Sequence, residues 1–400
     1  LFDRAFPPAR PVLGLVRERS TVEHARRLDL DGYAGLVGRR PYPMRVAVVG
    51  AGIAGLACAR TLREHLVEAV VFEKSRGGGG RMSTRRGDHG AFDHGAQYFT
   101  ARDPRFASLV SAWCDEGVVA RWHARFANIA AEGVAPVDAP PRFVGTPSMS
   151  ALCAHLSGSD GVTANTRVER IEREGRMWRV HGTDAAGVAR DLGLFDAVLS
   201  TAPAPQTAAI LSGAAPALSQ AASRCGMRAT WSLMLSFGQP VALPLDHAEV
   251  SAGAPAVGET LAWISRVGSK PGRAQDGIDR WTVLARSEWS EERLERSPEE
   301  VAPALVDAFT RLCSALGVRT PPPIHAQAHR WRFALAGGDG GPGAMYDPSL
   351  RIGMAGDWLR GTRVEDAYLS GVALAGRVLC AAAQRMPAVQ PAPLAATLRA

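Results

Sequence analysis

The amino-acid sequence predicts an α/β fold, a mainly parallel sheet joined to a second region of mixed or antiparallel strands. Three observations predict it. A strand, a glycine-rich turn and a helix follow one another in "MRVAVVGAGIAGLACARTLREHL", residues 44 to 66. Alternating apolar and polar runs crowd the middle of the chain: "ATWSLMLSF" (229–237), "TLAWISRV" (260–267) and "RWTVLARS" (280–287). Near the end a second apolar strand, "LRIGMAGD" (350–357), runs into the helical stretch "VEDAYLSGVALAGRVLCAAA" (364–383).

Taken in order, residues 1–43 carry little periodicity and many prolines and arginines, so a poorly ordered extension is expected there, with Met44 as the functional start. "MRVAVVG" is continuously apolar, as a strand buried on both faces of a parallel sheet must be. "EAVVFEK" (68–74) reads as the second strand after the intervening helix. The middle runs alternate with period two, which suits antiparallel strands with one face buried. "SPEEVAPALVDAFTRLCSALG" (297–317) reads as a helix with a Ser N-cap, acids in its first turn and a Gly stop. The Pro/Ala-rich tail, residues 384–400, is expected to be mobile.

Composition narrows the function classes. Apolar residues make up 46% and charged residues 21%, ordinary for a globular chain with a sizeable core. No apolar run reaches the ~18 residues of a membrane helix; the longest, Val46 to Ala59, is broken by Gly50, Gly52 and Gly55. The opening residues show no secretory apolar core, so a cytoplasmic setting is expected, with no membrane partner. The six cysteines are scattered without metal-ligand spacing, and no metal is expected. The net charge of +7 comes almost wholly from arginine, since Lys74 and Lys270 are the only lysines. There is no basic run of the kind that forms a nucleic-acid arm, so no nucleic-acid partner is expected. No oligomeric state follows from the sequence.

The chemistry starts at Gly50-x-Gly52-x-x-Gly55, between strand and helix, with Glu73 closing the next strand. Gly50 permits the tight turn and Gly52 lets the backbone approach a pyrophosphate. Gly55 lets helix and strand pack closely, while Ile53 and Ala54 open the helix and present its N–H donors. Glu73 lies where an acid accepts hydrogen bonds from an adenosine ribose. The following "EKSRGGGGRMSTRR" (73–86) separates two cofactor classes. A nicotinamide dehydrogenase has no fixed need for glycines and an arginine after the acid.

Gly79-Gly80-Arg81-Met82 after Glu73-Lys74 resembles the second phosphate loop of the amine-oxidase and glutathione-reductase type flavoproteins. "FDAVLSTAPAPQ" (195–206) and "TRVERIEREGRMWRVHG" (166–182) resemble the returning strand and the adenine-covering hairpin of that fold, with Val168 as a backbone contact. Gly356-Asp357, before a helix starting near Val364, resembles its second FAD motif. The core from Met44 to about Ala383, including "FDHGAQYFTARDPRF" (92–106), "HRWRFAL" (329–335) and "GDWLRGTRVEDAYLSG" (356–371), is similar to the renalase-like subgroup. One departure is Gly78 or a neighbour where that family's glycine loop carries a proline.

The resemblance implies a FAD-binding Rossmann-like domain built from 44–90, 142–205 and 340–383, with a substrate domain from 91–141 and 206–339. It implies noncovalent FAD, since "GDWLRGTRVEDAY" offers no Cys or His to tether a flavin. It implies an oxidase taking a hydride from 2- or 6-dihydro isomers of NAD(P)H, with O2 as electron acceptor and H2O2 as product. Arg81 would bond phosphate oxygens and Asp357 the ribityl or pyrophosphate region. The helix beginning at Val364 would aim its amides at the flavin N1/C2 carbonyl, where reduction leaves negative charge.

Substrate-pocket candidates are Gln97 and Tyr98, Trp263 and Arg266, and Arg330 and Trp331, each of which ordinary sheet packing also explains. Lys270, in the loop-like "GSKPGR", is the one lysine available for the place that amine oxidases of the superfamily give to a lysine near the flavin. Arg85 and Arg86 have no assigned role. Two alternatives stay open: a flavin amine oxidase or desaturase acting on a small amine or lipid, and a flavin-binding protein without turnover.

Overall fold

The computed structural model describes residues 44–384 apart from 139, 160 and 338–340. The expectations for 1–43 and for the tail beyond Gln384 lie outside the described residues; Gln384 itself ends a helix.

Five strands form the first sheet, in the order Ala344–Asp347, Ile352–Ala355, Ala197–Ser200, Arg45–Val49 and Glu68–Phe72. The four strands after the first run parallel, and Ala344–Asp347 pairs antiparallel at the edge. "RVAVV" is buried on both faces. Val46 and Val48 face the cluster that holds the glycine-loop helix Ile53–Glu64 and the C-terminal helix Val364–Gln384. Ala47 and Val49 face a three-stranded meander, Arg167–Glu174, Met177–Thr183 and Ala189–Phe195. Period-two alternation explains how one uninterrupted apolar strand serves two layers.

The two helices meet at a glycine. A Cβ placed on Gly371 would lie 2.0 Å from the Ala54 carbonyl oxygen, so only a residue without one allows this approach. The C-terminal helix is long and apolar enough to cross a membrane, yet much of it is buried in this core.

The second sheet has seven strands, in the order His325–Ala336, Met227–Phe237, Asp279–Ala285, Leu261–Arg266, His247–Val250, Phe126–Ala130 and Gly133–Pro136. Its pairings are antiparallel except for His247–Val250 with Phe126–Ala130. One face carries Trp231, Leu233, Leu235, Trp281, Val283 and Ile264, packed on Val301, Leu305, Phe309 and Leu312 of the helix Pro298–Ala315. Ser297 caps that helix in a full capping box with Glu300. The other face is buried but polar, with Ser232, Ser236, Ser265, His247 and Thr282. A buried face with this many hydroxyls is unsuited to ordinary core packing.

Candidate active site

The cofactor side is built by local backbone geometry. Gly50 sits at φ +102°, and a Cβ on Gly55 would lie 2.0 Å from its carbonyl oxygen. A Cβ on Gly52, by contrast, would meet nothing within 4 Å. Gly52 therefore borders open space at the start of the Ile53–Glu64 helix. Among the described residues no side chain caps that N-terminus, so the first amides there remain for an anion.

Glu73, 7% exposed, ties the turn to the next strand: its carboxylate accepts the Ala51 N–H at 2.9 Å and the Ser75 N–H at 2.8 Å. Each oxygen keeps a second lone pair, enough for a hydroxyl donor such as a ribose. The Gly79 N–H donates to the Ala51 carbonyl at 2.8 Å, and a Cβ on Gly80 would lie 3.4 Å from the Gly52 Cα. Gly79 and Gly80 hold φ of +127° and +51°. Two glycine loops thus meet backbone to backbone with open space beside Gly52, a geometry that suits a pyrophosphate. The Glu73 N–H donates to the Thr163 carbonyl at 2.9 Å and the Thr166 N–H to the Glu73 carbonyl at 2.8 Å, leading into buried Val168. Lys74 is exposed beside this edge, and Met82 is buried in the core.

Arg81 and Asp357 find each other. The guanidinium donates to the carboxylate at 2.7 and 2.5 Å and to the Ala334 carbonyl at 2.9 Å. The Gly356 N–H is held by Ser370 Oγ at 2.8 Å, which fixes this turn on the C-terminal helix. After Val364, Glu365 accepts the N–H groups of Arg102 and Asp103 at 2.7 and 2.6 Å, and Asp366 accepts that of Arg363 at 3.2 Å.

The candidate substrate side begins where the Ala96 N–H donates to the Arg81 carbonyl at 2.9 Å, bringing "GAQYF" against the glycine loop. Gln97 is 1% exposed; its amide donates to the Asp93 and Gly95 carbonyls and accepts from Lys270 Nζ at 3.0 Å. Tyr98 stacks on Trp263, with centroids 5.6 Å apart and planes 15° from parallel. His247 meets both rings edge-on at 5.3 Å, Trp122 lies 6.3 Å from Tyr98, and the Arg142 guanidinium lies 4.8 Å from the Tyr98 centroid. Trp331 donates its indole N–H to the His94 carbonyl at 2.8 Å, close to Gly95.

The pocket candidates divide by strand face. Trp331 lies on the polar face with His329 and His94. Trp263 joins that face because a β-bulge between Leu261 and Trp263 re-aims it, whereas Leu261 and Ile264 both stay in the apolar core. Arg266 and Arg330 point the other way. Arg266 donates to the Val241 carbonyl at 2.5 Å and lies over Trp281, while Arg330 reaches the Leu294 carbonyl and lies 5.7 Å from Trp231. Both arginines brace the apolar side of the sheet.

A buried charged group joins the two regions. Asp93 Oδ2 accepts from Arg273 Nη2 at 2.6 Å and Lys270 Nζ at 3.4 Å, while Oδ1 accepts from Thr84 and from the Met149 N–H. Burial works to raise the Asp93 carboxyl, but the Lys270 and Arg273 charges outweigh it and hold it at about 2. Burial pushes the Lys270 ammonium down to about 8, against the pull of Asp93. Lys270 does follow a short turn, Val267–Ser269, as its loop-like sequence suggests, yet its side chain is wholly buried. Trp122, Arg142 and His247 carry no sequence signal beyond residue type. Asp93 alone was open to suspicion, as an acid within the apolar "AFDHGAQYF".

Comparison with known proteins decides the family. A family model described as NAD(P)-binding Rossmann-like domain matches residues 48–113, and one described as flavin containing amine oxidoreductase matches residues 142–379, more than half of the chain. The chain belongs to the flavin containing amine oxidoreductases. As a member of that family it uses a flavin, and the resemblance drawn from its motifs stands. Renalase of Mus musculus is 28% identical over 170 residues, 40% of this chain and 48% of the relative. The chain thus spans about half the length of that curated relative. A provisionally assigned protoporphyrinogen oxidase from Exiguobacterium sp. 255-15 superposes with a TM-score of 0.65 at 14% identity, covering 84% of this chain and 99% of its own. Cyclohexylamine oxidase from Brevibacterium oxydans IH-35A gives 0.61 at 13% identity, covering 86% and 100%. At such identities these two establish the shared fold, which is the α/β class with a Rossmann-like unit expected from the sequence.

Proposed function

We propose that this flavin containing amine oxidoreductase binds FAD without a covalent bond and oxidises 2- or 6-dihydro isomers of NAD(P)H. The observation that carries the reading is the parallel Tyr98–Trp263 stack beside buried Gln97, at the edge of the polar sheet face. Aromatic faces and a fixed amide suit a planar nicotinamide ring with its carboxamide. A dihydronicotinamide already holds a hydride on a carbon of the ring, so the protein's task is to orient that ring and exclude water rather than to remove a proton.

The two glycine loops would hold the pyrophosphate, Glu73 the ribose, and the Arg81–Asp357 turn the neighbouring flavin chain. Bound flavin supplies a two-electron acceptor for the substrate hydride and, in an oxidase, passes those electrons to O2 to give H2O2. Burial, then the charges of Arg142 and Lys270, keeps His247 down at about 3, so it faces Tyr98 and Trp263 as a neutral ring.

One observation favours oxidation of a small amine instead. Lys270 is a fully buried lysine bonded to Gln97, on the segment that runs past the glycine loop. Anaerobic mixing with 6-dihydroNAD(P), ordinary NADH and a panel of amines separates the readings. Bleaching of the flavin by the dihydro isomers supports the first. Bleaching by amines alone moves the assignment to the second, and no bleaching by any of them leaves a flavin-binding protein without turnover.

A further inference from the structure

We infer that a cleft between the hairpin Thr84–Asp93, the Pro147–Ser148 turn and the segment 267–280 binds a small oxyanion of the phosphate class. The cleft has a volume of about 190 Å³, and Arg86, Ser148, Gly272, Arg273 and Arg280 are among its lining residues. That is several times the roughly 30 Å³ share of one water in the liquid. Three guanidiniums in one cleft are unusual unless acids match them, and here the acids fall short.

Arg280 is paired with Asp276, at 2.8 and 2.7 Å. Asp93 is shared between Arg273 and Lys270, so one carboxylate offsets two cations. Arg86 has no acid partner among the described residues; it donates to Ser148 Oγ at 3.0 Å and Ser150 Oγ at 3.4 Å. With exposed Asp88 of the hairpin turn counted in, the three arginines and the Lys270 behind Asp93 outnumber the carboxylates Asp93, Asp276 and Asp88 by one. Arg273 and Arg280 are 8% and 6% exposed, held in place by bonds to Asp93, Gly145, Pro271, His89 and Asp276. Of the five N–H donors of an arginine, these bonds leave one on Arg273 and two on Arg280 without an acceptor among the described residues. Pre-positioned forks, a freer third arginine and a serine hydroxyl pair are the donor set that recognises a tetrahedral oxyanion.

The cleft is separate from the aromatic pocket but touches it through one carboxylate. Arg273 lines the cleft and grips Asp93, while Lys270 on the same carboxylate lies 5.4 Å from the Trp122 centroid and bonds Gln97. The phosphate can be free in solution or can be an ester on a nucleotide, such as the 2′-phosphate that separates NADP from NAD. The second source rests on the nicotinamide reading above; the first does not.

Calorimetric titration of the flavin-loaded enzyme with inorganic phosphate tests the site, and parallel titrations with NADP+ and NAD+ identify the source. Saturable phosphate binding is expected, weakened about tenfold or more in Arg86→Gln and unchanged in Arg121→Gln, an exposed control. The flavin spectrum and melting temperature of Arg86→Gln should match the parent. If the ligand is a nucleotide phosphate, NADP+ binds more tightly than NAD+ and Arg86→Gln abolishes the difference. If it is free phosphate, the two nucleotides bind alike while phosphate still binds. Should Arg86→Gln shed flavin, Arg86→Lys replaces it, with an intermediate loss expected. Phosphate binding that is equal in parent and Arg86 variant overturns the site. So does the absence of both phosphate binding and an NADP+ preference. Failure of dihydronicotinamides to bleach the flavin would leave the phosphate titration intact.

Discussion

Arg81 and Asp357, 276 positions apart, meet as a two-pronged ion pair that joins the second glycine loop to the turn before the C-terminal helix. The carboxylate side chain is 3% exposed and the guanidinium 32%. Removing one partner leaves the other uncompensated, which for buried pairs costs about 3–5 kcal/mol. The exposure of Arg81 argues for the lower end when Asp357 is removed. Arg81→Gln, which strands the buried carboxylate, should therefore be the worse of the two against Asp357→Asn. Urea midpoints and retained flavin absorbance measure this, and equal losses would contradict the asymmetry.

Gly371 and Gly376 lie on one helix and should respond in opposite directions. A Cβ on Gly371 strikes the Ala54 backbone, whereas one on Gly376 meets nothing within 4 Å. Gly371→Ala is expected to cost about 2–3 kcal/mol and to loosen flavin binding, because it pushes the C-terminal helix off the glycine-loop helix. Gly376→Ala should stabilise by roughly 0.5–1 kcal/mol through helix propensity. Thermal unfolding of both variants decides the point.

Acid should destabilise the protein well above the carboxylate range. Burial first, then neighbouring cations or imidazoles, holds His94 and His247 down at about 3 and His329 at about 4, against an ordinary 6.5. These rings are neutral when folded and take up protons when unfolded. Stability from them is present above pH 6.5 and is lost as pH falls from there toward 3 to 4. Each tenfold difference in proton affinity between the folded and unfolded chain is worth about 1.4 kcal/mol per ring. A melting temperature that stays flat between pH 7 and 5 would contradict this, and His247→Gln should shallow the slope.

Trp263→Ala and Tyr98→Ala each remove one ring of the stacked pair without touching the glycine loops. Both should raise the KM for a planar ring substrate by about tenfold, on the order of the 0.5–1.5 kcal/mol of an aromatic pair together with lost contact area. Flavin content should stay at the parent level. Arg266→Gln and Arg330→Gln, on the opposite face, should lower stability and leave KM unchanged. A rise in KM for these two would place the pocket on the wrong face.

The cofactor side was the more legible half of the site. Gly50, Gly52, Gly55 and Glu73 sit in one continuous strand-turn-helix-strand segment, so spacing alone predicts their geometry. Gly79 and Gly80 follow within one short step of Glu73, and the structure closes them onto Ala51 and Gly52. The substrate side was less legible. Trp263 and Arg266, or Arg330 and Trp331, look equivalent in sequence, but neighbouring strand positions point to opposite faces. Counting by twos from Leu261 would bury Trp263 in the apolar core; the bulge reverses that.

Consecutive residues alone specified the Rossmann-like unit, because glycine turns, caps and apolar strands are local properties; the flavin class and the family came from the resemblance of those motifs and from the family match. Tertiary structure alone decided that Arg81 spends its charge on Asp357, that Lys270 is buried on Asp93 and Gln97, and that Tyr98 stacks on Trp263. Those partners lie between 165 and 276 positions apart or on different strands. Sheet register, a bulge and helix packing brought them together, and none of these is written in any single stretch of the chain.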